Sequence, residues 1–124
     1  MATIRSYTTI EQSRKLAEIL SLESADMIWA NDNDVIVVPY DMATRENVLH
    51  DFIPCWSLAA LLDIIPKRIK DYNILRIDIG EKDFSIWYDE IGYGMTPELP
   101  NIAKECPVDA CYIMIVTLNK LKIL

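Results

Sequence analysis

From Pro107 to Lys120 the chain reads P-V-D-A-C-Y-I-M-I-V-T-L-N-K, a run that opens with a proline suited to a first helical turn and carries one charge, Asp109, before Lys120. A helix at the edge of a small domain ordinarily keeps a polar stripe in water, and this one is apolar on every side. It must run through the centre of the fold, or it must share a side with a second subunit. The second arrangement makes Ile113 and Val116 the contacts of a twofold homodimer, with the nearby Lys120 and Lys122 as an opposing charge.

The rest of the chain supplies elements to surround such a helix. T-I-E-Q from Thr9 is a capping-box pattern, and Ile10, Leu16, Ala17, Ile19 and Leu20 form an apolar side behind it. Glu11 with Lys15, and Arg14 with Glu18, stand four apart on the wet side. A short helical turn is expected around Ser24 to Trp29, a turn at N-D-N-D from Asn31 to Asp34, and a buried strand in V-I-V-V-P-Y ending where Pro39 removes a donor. Ser57 as N-cap and Pro66 as stop bound a helix of about two turns. Two stretches then alternate with period two, Leu75, Ile77, Ile79 and Phe84, Ile86, Tyr88, joined by G-E-K-D; they predict a hairpin over 74 to 90. A loop rich in Gly and Pro is expected from Ile91 to Cys106. The expectation is a single α+β domain over residues 1 to 124, three helices packed on a small, mainly antiparallel sheet.

Composition removes whole classes of chemistry. Gly80, Gly92 and Gly94 are the only glycines, so neither a dinucleotide-binding nor a phosphate-binding glycine loop can be written. His50 is the only histidine, which excludes a two-histidine zinc helix. It could join Cys55, Cys106 and Cys111 in a zinc site, but Cys106 and Cys111 stand about 140° apart round a helix axis, and buried cysteine commonly packs as a small hydrophobe. No metal and no cofactor is expected. A Cys55/His50 nucleophile pair lacks an orienting group and an oxyanion site. Asp32 and Asp34 lack the glycine and distal glutamate of a calcium loop.

Twelve basic against 19 acidic residues give a net charge of −7, and seven of the acids fall between Glu23 and Asp51, against Arg45 alone. A chain charged in this way does not bind duplex nucleic acid, whose affinity comes from clustered basic groups. No stretch is long and apolar enough for a membrane span, the opening lacks the core of a signal peptide, and three cysteines fit a reducing compartment, so a cytoplasmic location is expected.

Two tryptophans stand out as contact candidates. Trp87 alternates onto the side of the hairpin opposite Phe84, Ile86 and Tyr88, beside Arg76 and Asp78 of the partner strand. Either the 91–106 loop covers it, or it meets a ligand or partner. Trp56 and Ser57 precede a helix start whose free amides favour an anion; such a tryptophan either holds a base beside a phosphate or braces the helix on the core.

The opening TTIEQSRKLAEILSLESADMIW, the central IPCWSLAALLDIIP and the final CPVDACYIMIVTLNK resemble small accessory proteins encoded by phages and mobile elements of gut Bacteroidetes. The chain departs from their pattern at 31 to 51, and in the last helix, where Ile113 and Thr117 stand in place of the usual Glu and Trp. The resemblance implies a context, a small accessory gene acting inside a bacterium, and carries no activity. Together with the composition it leads to the expectation of a non-enzymatic protein that binds a host protein through acidic residues 23–51. The alternative is capture of a small anionic or nucleotide ligand of host defence signalling near Trp56 or Trp87.

Overall fold

The structure is a computed structural model that describes residues 5–38, 51–70, 73–90 and 99–124. Among the described residues, three helices and two antiparallel sheets of three and four strands make the protein α+β. The expectation of one sheet is corrected to two. The backbone gathers into two compact units, one continuous (Ser6–Ile64) and one discontinuous (Met1–Arg5 with Ile65–Leu124).

In the continuous unit, α1 (Ile10–Ile19) starts at the expected capping box: Gln12 N–H donates to Thr9 Oγ1 at 3.1 Å, and Thr9 N–H donates to Gln12 Oε1 at 3.0 Å. Leu16 and Ser13 are its buried residues. Among the described residues its wet side holds Lys15 to Glu18, three apart, in place of the pairs four apart. Beyond a 3₁₀ turn (Leu22–Ser24) the chain is extended as β1 (Met27–Trp29), so the helical turn expected at 24–29 is shorter and earlier than its sequence suggests. The tertiary reason is that β1 is the middle strand of the order β2-β1-β3 and is claimed from both sides by β2 (Val35–Val37) and β3 (Ile53–Cys55). The V-I-V run is a strand as expected but not a buried one: at the sheet edge, Ile36 is 50% and Val37 69% exposed. Pro39 and Tyr40 lie outside the described residues. Then α2 (Leu58–Ile64) begins after Ser57, whose Oγ accepts from Ala60 N–H at 3.1 Å, and ends before Pro66.

The discontinuous unit holds a sheet of order β4-β5-β6-β7, made of Arg68–Ile69, Asn73–Ile79, Phe84–Glu90 and Ile102–Lys104. The hairpin forms with the expected residues facing each other: Leu75 with Tyr88, Ile77 with Ile86, Ile79 with Phe84. Ile102–Lys104, expected within a loop, is a strand paired with Phe84–Ile86; three residues of mixed polarity show no alternation to read. Against β6 and β7 packs α3 (Pro107–Lys120). Val108, Ala110, Cys111, Met114, Ile115 and Leu118 are buried, while Ile113 and Val116 are half-buried. Tyr88 locks the strand end by donating its hydroxyl to Pro66 O at 2.7 Å. Arg5 pairs with Asp109 in the first turn of α3, where a carboxylate also suits the helix dipole.

Candidate functional site

Trp56 and Ser57 are drawn into the continuous unit's own structure. Trp56 is fully buried, and its indole N–H donates to Ser24 Oγ at 2.9 Å. Its backbone N–H donates to Thr8 Oγ1 at 3.1 Å, which in turn bonds the buried Ser13 hydroxyl at 2.7 Å. The anion position at the start of α2 is already taken. Asp26, at the edge of β1, accepts from Ser57 N–H at 2.9 Å and from the Ser57 hydroxyl, and Leu58 N–H donates to Ser6 O at 3.0 Å. A carboxylate of the chain itself therefore sits where a phosphate would have to bind, and of the two readings of Trp56 it is the brace of the helix against the core that the geometry supports. Asp26 was not legible as this partner, because nothing local in A-D-M-I-W shows that β1 will run beside the start of α2.

The cysteines are equally internal. Cys55, Cys106 and Cys111 are buried free thiols, and burial pushes the thiols of Cys55 and Cys111 up, that of Cys111 to about 12. A thiol in that state is a poor nucleophile at neutral pH. His50 lies outside the described residues. Among the described residues no three His, Cys, Asp or Glu side chains gather closely enough for a metal ion.

Arg76 and Trp87, by contrast, meet. They stand directly opposite in the β5–β6 register, on the face away from Phe84, Ile86 and Tyr88. Asp89 joins them: Trp87 donates its indole N–H to Asp89 Oδ1 at 3.1 Å, and Arg76 Nε donates to Asp89 Oδ2 at 3.2 Å. With Arg76 and Asp89 half exposed, this ion pair contributes at most about 1 kcal/mol and leaves a half-buried indole edge pinned in place on the sheet surface. Asp89 was visible in the sequence as a residue on the Trp87 side, though the pairing geometry was needed to show that one carboxylate holds both neighbours. It also offsets the charge with which Arg76 would attract an anion. Of the 91–106 loop, which was expected to cover Trp87 or leave it open, residues 91–98 lie outside the described residues.

The acidic stretch divides. Asp26 is used at α2, Asp41 and Glu46 lie outside the described residues, and Asp32 and Asp34 occupy an exposed turn. Asn31 shapes that turn: its Oδ1 accepts from Asn33 N–H at 2.8 Å and Asp34 N–H at 2.9 Å, and its Nδ2 donates to Asp34 Oδ2 at 2.8 Å. Two exposed carboxylates, that of Asp34 held by Asn31, thus lead directly into the exposed strand β2. Among the described residues no helix is long and apolar enough to cross a membrane.

Comparison of the chain with protein-family models, curated proteins and solved structures gives no match.

Proposed function

We propose that this is a non-enzymatic binding protein whose partner is a protein of the bacterial cell, met in the cytoplasm through the acidic turn at 31–34 and the strand behind it. The observation that carries the reading is the conjunction at this one place of two exposed carboxylates, Asp34 held by Asn31 and Asp32 beside it, with exposed Ile36 and Val37. Charge steers such an encounter and apolar area gives it duration. The sequence resemblance to phage and mobile-element proteins supports a host protein as the partner.

Crosslinking of the whole protein in bacterial lysate, beside Asp32→Lys/Asp34→Lys, is the test. A partner captured at low salt, and lost both at high salt and in the variant, is expected; identical capture by the two proteins removes the reading. A second reading, capture of a small anion or nucleotide, is favoured by one observation, the pairing of Arg76 with Trp87. It predicts quenching of Trp87 emission by adenosine diphosphate, abolished in Arg76→Gln. A homodimer through Ile113 and Val116 is part of the proposal and is compatible with either partner.

A further inference from the structure

The register of the three-stranded sheet shows which main-chain groups of β2 are spoken for. Val38 N–H donates to Asp26 O at 3.0 Å and Ala30 N–H donates to Asp34 O at 2.8 Å, so 26–38 and 30–34 are hydrogen-bonded pairs. In an antiparallel ladder such pairs alternate, and Ile36 opposite Ile28 is the next. Val35 and Val37 therefore turn their N–H and C=O groups away from β1. On that far side no strand follows among the described residues. Two donor–acceptor sets about 7 Å apart stand along an open edge, the spacing that one added strand would match.

Proteins usually protect such an edge with a lysine or a bulge. This chain has no lysine or arginine between Lys15 and Arg45, and its strand instead begins at the exposed Asp32 and Asp34. We propose, resting on the protein-binding reading above, that β2 is a strand-addition site: an extended partner segment pairs with Val35 and Val37 and sets a lysine or arginine against Asp32 and Asp34. A second copy of this chain is the wrong occupant at this edge, because its matching segment carries the same carboxylates and no base to set against them. Main-chain pairing supplies the affinity in this mode, and the flanking charges supply orientation and selectivity.

The test uses the full chain, isotope-labelled, with a short peptide alternating valine and lysine, and the same peptide N-methylated on alternate amides. Binding of the first is expected to slow exchange of the Val35 and Val37 amides about tenfold, with that of Ile36 unchanged. Val37→Pro removes one outward donor without touching the β1 pairing and should weaken binding about tenfold. The N-methylated peptide keeps its charges and leaves the protein unaltered, and it should not bind. Equal binding of both peptides, protection at other amides, or no binding at all overturns strand addition; of these, salt-sensitive binding of both leaves the acidic-surface reading standing. Undiminished binding to Asp32→Asn/Asp34→Asn, with Val35 and Val37 still protected, overturns the charged part of the inference and the acidic-surface reading with it.

Discussion

Cys111 shows how far a residue's chemistry is set by where it is packed. It is fully buried in α3, and loss of hydration raises its thiol from the ordinary 9.0 to about 12. The folded chain then holds a proton that the unfolded chain releases from 9.0 upward. Its contribution to stability is complete below 9.0 and is lost as the pH climbs towards 12. Tyr88, raised to about 12 by the same cause, acts in the same direction. Urea midpoints measured between neutral pH and about pH 10.5 should therefore fall in the wild type and fall less steeply in Cys111→Ala, which is less stable at the start because a packed atom is gone. A parallel fall in both proteins would mean that the thiol is hydrated in the folded state.

At the scale of elements, α3 is the sharpest test of what patterning can and cannot reveal. Its apolar residues look equivalent along the sequence, yet packing on β6 and β7 buries Leu118 completely and leaves Val116 half-buried. Leu118→Ala should cost about 2–5 kcal/mol, and Val116→Ala well under half of that, by chemical denaturation. Similar losses at both positions would show the helix to be surrounded. The elements legible in the sequence were those with a local signature: the capping box at Thr9, Ser57 and Pro66 around α2, Pro107 at α3, and the alternation of the hairpin. Strands β1, β3 and β7 have three residues each, too few for a period to show, and exist because neighbours distant in sequence pair with them. The candidate sites divide in the same way. Arg76 and Trp87 were found because strand alternation fixes their side, whereas the choice at Trp56 and Ser57 between holding an anion and bracing the helix turned on Asp26, whose approach depends on the sheet. Val35 and Val37 went unnoticed because exposed β-branched residues look like core in a sequence.

For the molecule as a whole the proposed homodimer gives the plainest measurement. Light scattering at tens of micromolar should return twice the chain mass of 14.3 kDa, and Ile113→Glu should return it to one. Because each copy carries a net charge of −7, added salt should favour the dimer by screening the repulsion. One chain mass in a folded wild type, unchanged by salt, removes the dimer.

The discontinuous unit has a consequence for how the protein is made. Arg5 leaves the ribosome just ahead of the continuous unit, and its partner Asp109 is synthesised 104 positions later, after that whole unit has passed. The continuous unit, which includes the buried Trp56, Leu16 and Leu61, has been translated in full while α3 is still to come. The two parts of the other unit meet only after the continuous unit has emerged. The ion pair between Arg5 and Asp109 therefore closes only after the continuous unit has passed, and a chain halted before Asp109 leaves that arginine without its carboxylate.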